Sequence, residues 1–181
     1  MRGILPGLAL SALAAPAFAA GLTVTSPDIK DGGTIAMAQV FTGCKGENRS
    51  PALSWSGEPA GTQSFAITMY DPDAPTGSGW WHWTVFNIPA NVHTLPENAG
   101  AEHSTLLPAG AGQGMTDFGF SHYGGPCPPP GAPHHYVVTV YALKVAKLPL
   151  DAAASGATVG FNLHFNTLAE GKVTGIFGRS Q

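Results

Sequence analysis

The sequence predicts a mostly β domain of antiparallel sheets packed face to face, with a few short helices. Two observations predict it. Short runs in which apolar residues recur with period two lie far apart in the chain. Between them stand 24 Gly and 16 Pro with no repeating period, residues that interrupt helices and make turns.

The elements follow in order. Met1-Arg2, an apolar run from Ile4 to Ala14, and an Ala17-Phe18-Ala19 end have the form of a secretory signal peptide rather than of a buried first helix. The run is shorter than the roughly 20 residues that cross a bilayer. Residues 1–19 are therefore expected to be a cleaved signal. Residues 20–181 are expected to form one domain without a transmembrane anchor, periplasmic or secreted. Residues 34–40 read as a first strand, 41–50 (FTGCKGENRS) as a loop, and 52–55 as a short strand. Glu58-Pro59-Ala60-Gly61 reads as a turn. Residues 64–70 alternate Phe65, Ile67 and Met69 against Ala66, Thr68 and Tyr70, a strand with two different faces. Residues 82–88 place His82, Thr84, Phe86 and Ile88 on one face of the next strand. Residues 136–143 (YVVTVYAL) are the most apolar run and are expected at the centre of a sheet. The intervening stretch from 89 to 133 is mostly Gly, Pro, Asn and Ala, and a segment of that length is functional or disordered. Ser155 is placed to cap a helix carrying Val159, Leu163 and Leu168, with Gly171 ending it. Residues 173–179 read as a last strand.

Composition removes some functions. A net charge of −3 with 10% charged residues leaves no basic stripe for nucleic acid. An apolar content of 44% is far from that of a disordered chain. Cys44 and Cys127 are the two cysteines. In an oxidising compartment such a pair closes, so a Cys44–Cys127 disulfide is expected, with two buried thiols as the alternative. Neither lies in a CxxC pair, and His82, His122, His134 and His135 show no diagnostic metal spacing, so no metal or other cofactor is expected.

Three clusters carry candidate chemistry. Asp71-Pro72-Asp73-Ala74-Pro75 follows a predicted strand. Asp71 at the strand end is placed to face a pocket, whereas Asp73 reads as a turn residue bonded to nearby backbone. His82 stands among Trp80, Trp81 and Trp83. Pairing of its strand with 64–70 would bring it near Asp71, and a His beside a carboxylate has its tautomer set. The third cluster, YGGPCPPPG from 123 to 131, is a stiff loop whose glycines let backbone approach a ligand. His134 and Tyr136 then share one strand face, with His135 turned to solvent.

The runs AITMYDPDAPTGSGWWHWTVFNIPA (66–90) and YGGPCPPPGAPHHYVVTVYAL (123–143) resemble the two signatures of the phosphatidylethanolamine-binding proteins. SGATVGFNLHF (155–165) is similar to the helical part of the bacterial branch, often called Raf-kinase-inhibitor-like proteins. The similarity covers nearly the whole mature chain. It implies an antiparallel β-sandwich with a few short helices. It also implies a pocket for a small anion such as phosphate, a carboxylate or a phospholipid head group. Carried over by position, that pocket consists of Asp71, His82, His134 and Tyr136, with Gly125, Cys127 and Pro128 from the loop. The chain departs from eukaryotic members at His135, where they have Arg, and at Trp81, where they have a second His.

A binding role is therefore expected. Catalysis by an Asp/His acid–base pair is the alternative, although no Gly-x-Ser-x-Gly elbow or HExxH helix is present. A protein partner is a further possibility, for which the loops from 91 to 113 would offer a surface.

Overall fold

A computed structural model describes residues 21–180, so the expected signal peptide and Gln181 fall outside the described residues. The chain runs β1 (Thr23–Thr25), β2 (Gly33–Thr34), a 3-10 turn (Thr42–Cys44), β3 (Leu53–Ser56), β4 (Ser64–Asp71) and β5 (Trp80–Pro89). It continues through β6 (Thr94–Leu95), β7 (Gly112–Gln113), β8 (His134–Leu143), α1 (Gly156–Asn166) and β9 (Thr167–Phe177). Three strands form a small antiparallel sheet in the order β1-β3-β6. Six form a larger one in the order β2-β9-β8-β4-β5-β7. The large sheet is antiparallel except for β2, which runs parallel to β9.

The main core lies between the sheets. Leu53, Trp55 and Leu95 of the small sheet share one buried cluster with Phe65, Ile67, Met69, Val138 and Val140 of the large one. The opposite face of the large sheet is covered by α1, where Ala66, Phe86 and Leu143 meet Val159 and Leu163. Both alternating sets of β4 are thus buried. Its apolar sequence reflects a strand covered on two sides rather than one side facing water. β8 and β4 are the two central strands, as the run 136–143 suggests.

Several expectations change. Residues 34–40 do not form a strand. After Thr34 the backbone coils into turns, with the N–H of Gln39 bonded to Ala36 O (3.0 Å) and that of Val40 to Met37 O (3.3 Å). That course brings Phe41 N–H to Pro126 O (3.1 Å) and so ties this segment to the Pro-rich loop. The helix ends at Asn166, and the chain turns straight into β9, so Leu168 and Gly171 belong to the strand. Gly171 does not cap the helix. It lets β9 pass against the Leu22 carbonyl, where a Cβ would collide. The last strand therefore starts six residues earlier than the pattern 173–179 suggests. β1, β6 and β7 are two or three residues long, too short for periodicity to reveal.

β5 also departs from simple alternation. Its register against β4 slips twice, between Met69 and Tyr70 and between Phe65 and Ile67. Each slip is a one-residue bulge. The first leaves His82 without a partner residue. The second falls at Phe86–Asn87, with Asn87 at φ 60°. As a result Trp83, Val85 and Ile88 join the main core, while Phe86 joins the helix-covered cluster. His82, Thr84, Phe86 and Ile88 are not one face.

The helix start matches its reading. Ser155 Oγ accepts the N–H of Thr158 (3.2 Å). Ser155→Ala is expected to lower stability by about 1 kcal/mol, checked by urea unfolding.

Candidate functional site

β4 pairs with β5 on one side and β8 on the other. The end of β4 and the starts of β5 and β8 therefore meet at one edge of the sandwich. Asp71, His82, His134 and Tyr136 all come from those segments, and together they line a cavity of about 220 Å³. Cys127 and Pro128 line it from the loop. Gly125 does not. It packs against the backbone of Gln39–Phe41, where a Cβ would collide, and its N–H bonds to Asn48 Oδ1 (2.7 Å). Its missing side chain serves loop packing, not ligand approach.

The carboxylate of Asp71 is buried and doubly engaged. Oδ2 accepts His134 Nδ1–H (2.8 Å) and Oδ1 accepts the Asp73 N–H (2.8 Å). The turn bond expected of Asp73 is thus made by Asp71. Asp73 holds the neighbouring strand instead, since its Oδ2 accepts both the N–H and the Nδ1–H of His135 (2.7 Å each). Those two bonds keep the Asp73 carboxyl below its usual range. His135 lies at the surface, so the position where eukaryotic members have Arg is outside the pocket lining.

Asp71 does not orient His82, contrary to the expectation from strand pairing. His82 Nδ1–H donates to the Gly124 carbonyl (2.6 Å), and Gly124 N–H returns a bond to the His82 carbonyl (3.0 Å). The ring is wedged edge-to-face against Tyr136 and Phe118, with centroids 5.1 and 5.3 Å apart. Burial pushes its pKa down to about 4 against the opposing pull of the Gly124 carbonyl and the Asp71 charge. Near neutrality His82 is uncharged, with its proton on Nδ1 and a lone pair on Nε2.

Tyr136 is fully buried, and its hydroxyl has no hydrogen-bond partner. Burial, with the charges of Asp71 and Asp73, raises its pKa, so it remains an O–H donor. Leaving a buried hydroxyl unpaired costs about 1–3 kcal/mol.

Other wall residues are ones that the sequence did not assign to the pocket. Trp80 and Phe118 form an aromatic side. Phe118 is held in a stack with Phe41 (4.9 Å) and Phe120 (5.3 Å), and Phe120 stacks on His122 (3.9 Å). Phe118 lies in a glycine-rich loop with no periodicity, so only its aromatic character in that setting could have marked it. Asn48 clamps the loop from behind, its Nδ2–H bonding to Tyr123 O (3.0 Å). The Cys44–Cys127 disulfide pins the same loop to the 3-10 turn, with Cα atoms 5.6 Å apart. Among the described residues there is no cluster of three His, Cys, Asp or Glu side chains that could hold a metal ion. None of the described helices is long and apolar enough to cross a membrane.

A family model described as phosphatidylethanolamine-binding protein matches residues 25–178. The chain belongs to that family. It is 51% identical to the protein YbcL of Escherichia coli over 98% of both chains. It is 47% identical to YbhB of the same species, over 86% of this chain and 99% of the relative. This places it in the bacterial branch of the phosphatidylethanolamine-binding proteins. The crystal structure of E. coli YbcL, described as a member of the mammalian family, superposes with a TM-score of 0.87. It is 53% identical and covers 89% of this chain and all of that one. A mycobacterial relative, 36% identical over 86% of this chain and 72% of its own length, is named as a lipoprotein, LppC. That name and the disulfide are compatible with an exported protein. The two-sheet arrangement is the fold of this family, and its members are named for binding.

Proposed function

We propose that this protein acts outside the cytoplasm as a binding protein whose pocket takes a small anionic group: a phosphate, a carboxylate or a phospholipid head group. The observation that carries the reading is the buried Asp71–His134 pair in the wall of a cavity that His82, Trp80 and Tyr136 also line. A bond from the indole N–H of Trp80 to an anionic oxygen would be charge-assisted, and such bonds contribute about 1.5–3 kcal/mol each. The aromatic side formed by Trp80 and Phe118 suits the apolar remainder of a head group. Catalysis has less support. Ser121 donates to the Ala152 carbonyl (2.7 Å) and Thr76 to the Gly79 carbonyl, so neither hydroxyl is held by a base.

Isothermal titration of the mature protein with phosphate, acetate and phosphoethanolamine tests this at pH 7 and pH 5.5. Saturable heat with at least one is expected. Silence with all three at both pH values would remove the binding reading.

A further inference from the structure

We propose that the outward face of α1, with the lysines beside it, is a docking surface for a membrane that contains anionic phospholipid. The inference goes beyond the pocket and does not depend on it, because these residues belong to the helix side of the large sheet and none of them lines the cavity.

α1 buries Gly156, Val159 and Leu163 against the sheet. Successive residues of a helix are turned by about 100°, which puts Phe161 and Phe165 on the opposite side. They are 66% and 57% exposed. Standing four residues apart, their rings meet edge to face with centroids 5.1 Å apart. Leu168, just past the helix, is 41% exposed, and Ala157 is exposed one turn before Phe161. The chain has no Asp, Glu, Lys or Arg between Asp151 and Glu170. A surface helix ordinarily turns its apolar side inward and a charged side to water. This helix turns two aromatic rings and no fixed charge to water.

The charges that flank the face are mainly basic. The Lys144 N–H bonds to the Asn166 carbonyl (2.9 Å), so the segment leaving β8 starts against the last turn of α1. Val145, Leu148 and Leu150 of that segment pack with Val159 and Leu163. Lys144 and Lys147 lie on the same segment. Both are exposed, and neither makes an ion pair among the described residues. Lys172 of β9 is balanced by Glu170 (2.8 Å). Asp151 lies beyond the other end of the helix, before the Ser155 cap, and accepts the Ala153 N–H (2.9 Å). In a chain of net charge −3, the C-terminal end of α1 thus carries two unbalanced positive charges.

Size and sign together point to the occupant. A whole aromatic side chain offers about 150–250 Å², so two partly exposed rings and one leucine present on the order of 300 Å². A stable protein interface takes roughly 800 Å² from each partner, so a second copy would need surface well beyond this patch. A bilayer sets no such minimum. Its head-group boundary accepts Phe and Leu side chains, and anionic lipid attracts the lysines beside them. The rings supply insertion, and Lys144 and Lys147 supply the preference for negative lipid.

Co-sedimentation of the mature protein with vesicles tests this. Vesicles of equal parts phosphatidylglycerol and phosphatidylcholine are expected to bind about tenfold more tightly than phosphatidylcholine alone. That advantage is expected to shrink as salt rises from about 0.05 to about 0.5 M. Lys144→Gln combined with Lys147→Gln is expected to weaken binding roughly 25-fold, since each lysine near an anionic surface contributes about fivefold. Phe161→Ser combined with Phe165→Ser is expected to weaken it about tenfold or more. The urea midpoint of that variant should not fall, because both rings stand in solvent. Saturating phosphoethanolamine is expected to leave vesicle binding unchanged. Vesicle binding that phosphoethanolamine abolishes would belong to the pocket and would overturn the inference. So would undiminished binding by the double Phe variant. Absence of binding to the anionic vesicles would overturn it while leaving the pocket reading intact, since that reading is tested with soluble ligands. A dimer in sedimentation equilibrium that the double Phe variant loses, without vesicle binding, would give the face to a second copy instead.

Discussion

Replacing Cys44 and Cys127 together by serine is expected to cost about 4–5 kcal/mol of stability, the largest effect of any change considered. The bridge joins residues 83 apart in sequence. In the chain-entropy model a loop of that length removes a great deal of freedom from the unfolded chain, whereas a short loop removes less. Urea unfolding of the double variant, beside wild type with and without reductant, measures it. The reduced wild type should match the variant. A loss under 1 kcal/mol would mean that the reduced, unfolded chain keeps much of the bridge's restriction by itself. The local consequence is separate from the global one. Cys127 lines the cavity, so the loop wall that carries it would lose its covalent tie to the 3-10 turn.

Acid is expected to destabilise the protein through His82 by about 3 kcal/mol between pH 6.5 and pH 4. The folded protein holds this ring neutral, with a pKa of about 4, chiefly through burial. The unfolded chain protonates it at the ordinary value of 6.5. Between those two values the unfolded state binds the extra proton, so stability falls as pH falls. The contribution is intact above 6.5 and fully lost below 4. Asp73, also depressed, acts in the same direction at lower pH, but it lies at the surface and its share is small. Unfolding free energies at pH 7 and pH 4.5 should differ more for wild type than for His82→Asn, by about 2–3 kcal/mol. Parallel pH dependence in the two proteins would rule His82 out as the source.

These expectations depend on details that the sequence disclosed unevenly. β4 and β8 were legible because their apolar runs are long and the strands are central. The shared face of His134 and Tyr136 followed from period two alone, since β8 is regular where they stand. The grouping of Asp71, His82 and His134 came through the family resemblance rather than through spacing. Which of them bond to each other was not legible. Strand pairing suggested Asp71 with His82, yet a bulge turns His82 toward the Gly124 carbonyl and leaves Asp71 to His134. A bulge has no periodic signature, and only the other slip, at Phe86–Asn87, leaves a local trace, with Asn87 at positive φ. Residues 34–40 failed for a related reason. Ile35 and Val40 are buried, but in turns, and burial alone does not separate a turn from a strand. Gly125 and Gly171 were read by rule as a ligand-approach site and a helix stop. Both are places where two backbones pass too closely for a side chain, which depends on neighbours distant in sequence.

The two slips in β5 constrain length as well as composition. Each shifts the odd–even count of the strand by one, and the shift at Phe86–Asn87 lets Ile88 meet the core beside Trp83 and Val85. Removing the extra residue of either bulge would leave the flanking pairs, Phe65 with Ile88 and Tyr70 with Trp81, as they are. Removing Thr84, between the slips, would instead turn Trp83 and Val85 to opposite faces. An insertion in the exposed turn around Gly77 meets no such penalty, because nothing lies within 4 Å of a side chain there. A change of length is therefore tolerated at a turn or at a bulge. Between the two slips a single lost codon would disturb the core, even where every remaining residue stayed the same.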